Sequence, residues 1–345
     1  MDNRDRREYR EQREYRDRKP NKKNGISPIN IALIVVLILL IAFLATKIVS
    51  YSRKADPIDE PKQVTEGTGE ENKDEGEDDG GFFGFKKKEE EKKEEVDPIK
   101  LKKGFNHNNE ADSYAYDAKT ISKFIRPKNS PGFVENKDHK KIAFLTFDDG
   151  PNHEITPQIL DTLKEEGVHA TFFVVGKDVN EENKDVLERE IAEGHAIALH
   201  SFYHEYEDLY PGRDANPDQI KKEAEMSQQA LKDVLGSDFN TAVWRYPGGH
   251  MSWGNTEPAD QALESIGIHW VDWNSLIGDA EPKNVRPTTV EGLVEYANTS
   301  KQYFFEQDIT VILCHDAANK QLTADAMSSL IKNFKDQGYE FGILE

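Results

Sequence analysis

The sequence predicts an α/β fold, a distorted (β/α)7 barrel over residues 139–345, preceded by a single transmembrane helix and a charged linker. Three observations predict the barrel. Apolar strand-like segments alternate with segments of helical period, which gives parallel strands joined by helical crossovers. Polar residues able to do chemistry recur at the C-terminal ends of five of the strand segments. In a βα barrel those ends converge on one face, whereas an open doubly wound sheet gathers only the strands beside its switch point.

The strands are expected at 141–147, 170–176, 196–199, 242–246, 268–273, 310–314 and 339–343. Helices are expected between them at 154–166, 181–193, 218–235, 258–265, 289–305 and 323–337. The first helix shows the pattern best: Ile155, Ile159, Leu160 and Leu163 fall on one face. That makes seven strands, one short of a full eight-stranded barrel.

The segments upstream cannot contribute to that core. Residues 1–23 carry ten Lys/Arg against six Asp/Glu and read as a disordered cytoplasmic tail. Residues 24–50 contain the run IALIVVLILLIAFLA with no charge from Asn24 to Thr46, long enough to cross a bilayer as one helix. The apolar run exceeds that of a signal peptide and lacks an A-x-A cleavage pattern, so an uncleaved anchor is expected. Arg16, Arg18, Lys19, Lys22 and Lys23 before the run, against Lys47, Arg53 and Lys54 after it, put the N-terminus inside and the rest outside. Residues 51–104 read as a disordered acidic and charged linker, and 105–138 as an N-terminal extension of unassigned role. The net charge of −20 argues for solubility outside the cell, and no nucleic-acid partner is expected. A single cysteine means no internal disulfide, so an ordinary hydrophobic core must supply stability.

The candidate site residues lie at the strand ends. Asp148 and Asp149 close the first strand in TFDDGP. Gly150 and Pro151 serve a turn, but paired carboxylates also suit a site where one ligates a metal and the other takes a proton from water acidified by the ion. His200 and His204 in HSFYH are four apart, which on a helical turn points both imidazoles the same way. Ser201 stands where a zinc-protease helix H-E-x-x-H carries its glutamate, so a protease would lack its general base. Two histidines with either Asp148 or Asp149 make an open metal site. Arg245 in WRYPGGH and Asp272 in VDWN follow, the latter with His315 or Arg245 as available partners. In VILCHD, neighbours on a strand face opposite ways, so His315 facing the site turns Cys314 into the core. His107 and His139 are expected in solvent, and His153 and His250 fall in site-face loops without being taken as ligands.

In that order, TFDDGP, HSFYH, RYPGG, VDWN and ILCHD closely resemble the motifs of the polysaccharide deacetylases with a NodB-type domain, carbohydrate esterase family 4, over residues 140–345. The resemblance implies a distorted barrel missing a strand or helix and a divalent metal, zinc foremost, with cobalt or another ion able to replace it. It assigns Asp148 as base and Asp149, His200 and His204 as ligands. Arg245 would tune Asp148, the Tyr246 backbone N–H would serve the oxyanion, and Asp272 would orient His315, the acid. Leu313 would line the acetyl pocket, with Trp273 and Tyr246 as further substrate contacts.

The expected activity is hydrolysis of N-acetyl groups from N-acetylglucosamine in a cell-surface polysaccharide, peptidoglycan first, by a membrane-anchored monomer whose catalytic domain lies outside the cell. An O-acetyl esterase or a chitooligosaccharide or exopolysaccharide deacetylase shares the scaffold. A non-catalytic wall-glycan binder is the alternative of a different class.

Overall fold

The segment IAFLTFD, residues 142–148, is buried along its whole length, as a central parallel strand covered on both faces must be. It lies in a computed structural model that describes residues 99–345. The expected tail, membrane segment and linker up to residue 98 lie outside the described residues. Among those described, no helix is long and apolar enough to cross a membrane.

In chain order the principal elements are β1 (Ala115–Tyr116), α1 (Ala118–Phe124), β2 (Ile142–Asp148), α2 (Thr156–Glu166), β3 (Ala170–Val174), α3 (Lys184–Ala192) and β4 (Ala196–Leu199). They continue with α4 (Tyr206–Leu209), α5 (Pro217–Leu235), β5 (Val243–Trp244), α6 (Thr256–Glu264), β6 (His269–Trp270) and β7 (Ser275–Leu276). The last are α7 (Val290–Lys301), β8 (Ile309–His315), α8 (Gln321–Asp336), β9 (Glu340–Phe341) and β10 (Ile343–Leu344). The six expected helices and the first three expected strands appear close to their predicted bounds.

The sheet runs β6-β5-β4-β3-β2-β8-β7, with β9 also pairing β2 and every pairing parallel. It is a curled parallel sheet rather than a closed (β/α)7 barrel, because among the described residues β6 and β7 do not pair. The expected strand 268–273 divides: β6 stays at one edge, and β7 joins β8 at the other through Ser275↔Ile312 and Leu276↔Leu313. Only residues 271–274 link the two edges, so the edges lie within about 17 Å of each other. The chain itself bridges the opening.

Alternation along β2 decides what faces the barrel axis. Ile142 and Phe144 join an inner cluster with Phe173, Ala198, Val243, Val271, Ile309 and Val311. Ala143, Leu145 and Phe147 pack outward beneath the helices. The next inward positions on β2 are Thr146 and Asp148, both buried. The axis therefore changes from apolar to polar towards the C-terminal ends of the strands, which is where a site can form.

The N-terminal extension closes the other end. Asn106 donates from Nδ2 to the carbonyls of Ile197 and Leu344, both at 3.0 Å. β1 pairs with β10, and α1 with the residue that caps it puts Ile121 and Ile125 into the inner cluster. His107, expected in solvent, is instead fully buried, with Nε2 2.9 Å from Glu345 Oε2. The reason is the return of the C-terminal strand β10 across the same end, which no local pattern around His107 announces.

Glu190 on α3 is fully buried and neither carboxylate oxygen has a hydrogen-bond partner. Burial first, and Asp316 second, push its pKa well above the usual carboxylate value. A folded-state pKa raised above the unfolded one makes stability fall as pH rises between the two, by about 1.4 kcal/mol per pH unit. Glu190→Gln removes that slope. Thermal melts of both proteins from pH 5 to pH 8 should show the variant gaining on the parent as pH rises; a pH-independent gap would mean that Glu190 is not held neutral.

Candidate active site

Asp148, the last residue of β2, and Asp149 would point to opposite faces if the strand simply continued. It does not, because Asp149 adopts φ 80°, a left-handed conformation that a non-glycine residue rarely takes. The turn that follows has no room for a side chain at Gly150, where a Cβ would lie 2.3 Å from Asp316 Oδ2. Both aspartates are thereby brought to one side.

The second motif achieves the same result by a route the spacing does not predict. Residues 200–204 are not helical; Ser201 has φ 64° and His204 φ 58°. The tight turn is held by Ser201 Oγ, which accepts from the His204 N–H at 3.0 Å. Glu223 of α5, buried and remote in sequence, accepts from the N–H groups of Phe202 and Tyr203 at 2.9 and 3.1 Å. Left-handed backbone at three positions around one small volume is the kind of strain that folds keep at functional sites.

One oxygen of Asp149 and one ring nitrogen each of His200 and His204 lie within 4.8 Å of one another. Asp149 Oδ1 is 3.7 Å from His200 Nε2 and 3.4 Å from His204 Nε2. His200 donates from Nδ1 to the Arg245 carbonyl at 3.0 Å, which aims Nε2 at the cluster. Burial first, then the neighbouring His204, lowers the His200 pKa to about 3, so it is the neutral imidazole that a metal requires. The donor set and its orientation fit a divalent ion with open positions.

Asp148 is differently occupied. Its Oδ1 accepts from Arg245 Nη1 at 2.8 Å. Arg245 is fully buried, its guanidinium 3.9 Å above the Phe173 ring, donating also to Thr146 Oγ1 and to the carbonyls of Val271 and Asp272. Burial pushes the Asp148 carboxyl above the ordinary range, and the guanidinium pulls it only part of the way back. A carboxylate so placed is oriented and a stronger base than one in water.

His315, at the end of β8, pairs with Asp279 and not with Asp272. Asp279 Oδ1 lies 2.9 Å from His315 Nδ1, and Oδ2 accepts from the His315 N–H at 2.9 Å and from Thr323 Oγ1 at 2.8 Å. Burial alone would lower the His315 pKa, but the Asp279 hydrogen bond and the surrounding carboxylates outweigh it and hold it above the usual histidine value. The expectation for Asp272 fails because the chain leaves β6 there: its Oδ1 accepts from the His250 N–H at 3.0 Å and anchors the 247–253 loop. The pairing of β7 with β8 instead carries Asp279 alongside His315. SLIGD, residues 275–279, was the available signal: a short apolar step followed by Gly-Asp.

Leu313 lies on the inner face of β8, one alternation below His315, and is almost fully buried. Trp273 packs against Gly249, where a Cβ would fall 2.6 Å from its ring. The Tyr246 side chain is buried and donates to Asp260, so only its backbone is available to a substrate. Cys314 is buried outward, as expected, with its thiol pKa raised by burial. Neither His153, paired with Asp185, nor His250, paired with Asp260, joins the metal ligands.

The polysaccharide deacetylase family model matches residues 135–271, which takes in both aspartates, both histidines and Arg245 but stops short of Asp279 and His315. A solved carbohydrate esterase family 4 (CE4) esterase of Streptococcus mutans is 44% identical, superimposes with a TM-score of 0.67, and is covered over 100% of its length by 72% of this chain. The chain belongs to the CE4 polysaccharide deacetylase family. A second solved structure, the polysaccharide deacetylase Bc1974 of Bacillus cereus, is 29% identical with a TM-score of 0.50, over 60% of this chain and 93% of that one. The peptidoglycan-N-acetylglucosamine deacetylase PgdA of Listeria monocytogenes is 32% identical over 65% of this chain, which spans only 42% of the Listeria protein.

Proposed function

We propose that this CE4 protein removes N-acetyl groups from N-acetylglucosamine residues of a cell-surface glycan, peptidoglycan in the first place, releasing acetate and leaving free amines. The observation that carries the proposal is the juxtaposition of three functions in one site: an Asp149/His200/His204 donor set, a guanidinium-held Asp148, and a carboxylate-held His315. The site also fits ester substrates, but only an amide needs a strong proton donor, because an amide anion does not leave.

The division of tasks follows from the contacts. Asp148 takes a proton from the attacking water, aimed by Arg245. The acetyl methyl lies against Leu313, and the backbone N–H of Tyr246 supports the negative charge developing on the carbonyl oxygen. His315 hands its Nε2 proton to the amide nitrogen as the C–N bond breaks, while Asp279 holds Nδ1 and so fixes the tautomer. A divalent ion held by Asp149, His200 and His204, zinc in our proposal with cobalt able to replace it, would polarise the carbonyl and acidify water.

The choice of peptidoglycan is supported by the name of the Listeria relative and by the uncharged run from Asn24 to Thr46, which would anchor the domain outside the membrane as a monomer facing the wall. Treatment with EDTA followed by gel filtration should abolish acetate release from N-acetylglucosamine oligomers, and zinc or cobalt should restore it. Undiminished glycan binding without acetate release in any metal state would make the protein a binder instead.

A further inference from the structure

The base of the barrel, opposite the site, has a composition unlike the rest of this acidic chain. Residues 123–141 carry six Lys/Arg against two Asp/Glu. Among the described residues, only Lys140 of these six has a carboxylate within ion-pair distance. Lys123, Arg126, Lys128, Lys137 and Lys141 have none.

Beside them lie large apolar side chains facing solvent: Tyr303 is 85% exposed, Phe305 49% and Val134 43%. Phe305 packs edge-on against Phe133, and Lys128 Nζ sits 3.7 Å above its ring. Immediately adjacent, a groove of about 490 Å³ is lined by Lys141, Lys301, Gln302 and Tyr339, with Asp308 as its one carboxylate. Lys301 is buried, donating to Gln337 Oε1 and Tyr339 Oη, with no carboxylate paired to it among the described residues.

We propose that this face docks on an anionic phospholipid surface, with Lys128, Lys137 and Lys141 against the headgroups and with Tyr303 and Phe305 entering the interface. Exposed aromatic rings among unpaired basic residues are the pattern of interfacial binding, and a soluble polyanion would need only the charges. The described chain also enters at this end, where Asn106 exchanges hydrogen bonds with Ile197 of β4. Docking here turns Asp148 and His315 away from the lipid. The proposal is independent of the reaction assigned to the site.

Residues 99–345 carry both faces of the core, and 72% of this chain covers the whole of the solved Streptococcus mutans relative, so this portion serves for the test. It should co-sediment with vesicles containing about a third phosphatidylglycerol and not with pure phosphatidylcholine. The exposed-lysine variant Lys128→Glu/Lys137→Glu/Lys141→Glu should lower partitioning on the order of 100-fold. Tyr303→Ser/Phe305→Ser should lower it as well, and both variants should keep the parent's activity on soluble oligomers. Equal binding to neutral vesicles, no binding to either, or binding to polyphosphate that survives Tyr303→Ser/Phe305→Ser while vesicles are ignored would each overturn the proposal.

Discussion

Asp148→Asn is expected to keep its metal and lose turnover by about 10³-fold, the scale of a missing general base. Asp148 borders the donor set, its Oδ2 3.6 Å from His200 Nε2, but only Asp149 groups with both histidines, and Arg245 holds the Asp148 Oδ1. Asp149→Asn should fail differently, losing metal affinity together with activity. Metal stoichiometry after dialysis separates the two, and equal loss in both variants would end the division of labour. Asp148→Asn also leaves the buried guanidinium without its partner, so a stability loss of about 3–5 kcal/mol accompanies it. Turnover is therefore compared well below both melting temperatures.

The second large effect belongs to Asp279. Asp279→Asn should cost about 10²–10⁴-fold in kcat on amide substrates, because the carboxylate that fixes the His315 tautomer and supports its charge is gone. Burial raises the Asp279 pKa, but His315, Lys320 and Thr323 outweigh it and hold the group below the usual range. It therefore stays ionised across the working range. Ester substrates should suffer less, since an alkoxide leaves without full protonation. Asp272→Asn should loosen the 247–253 loop yet leave the amide-to-ester ratio near that of the parent. A collapse of that ratio with Asp272→Asn and not with Asp279→Asn would reverse the assignment made from the contacts.

These two carboxylates mark the limit of what the sequence shows. Asp148, Asp149, His200, His204, Arg245 and His315 were legible because each follows an apolar segment that forms a strand, and parallel strands collect their C-terminal ends on one side. Asp279 was not, because it follows a two-residue strand that pairs with β8, on the far side of the sheet from the preceding strand β6. No local periodicity reports such a crossing. Glu223, which holds the histidine turn from α5, was hidden for a similar reason: its hydrogen bonds span twenty residues and end on backbone. The helical geometry expected for His200 and His204 gave the right common direction, although a turn with two left-handed residues produces it. His107 shows the same limit at the base, where burial comes from β10 at the far end of the chain.

In the proposed mechanism one site combines a base, an acid and a metal donor set for amide hydrolysis. Its most direct test is incubation of purified peptidoglycan with the zinc-loaded protein, measuring acetate and new free amines together. Equal amounts of both, rising with time and absent with Asp148→Asn, are predicted. Free amine without acetate, reducing ends in place of either, or the same release from Asp148→Asn would contradict it.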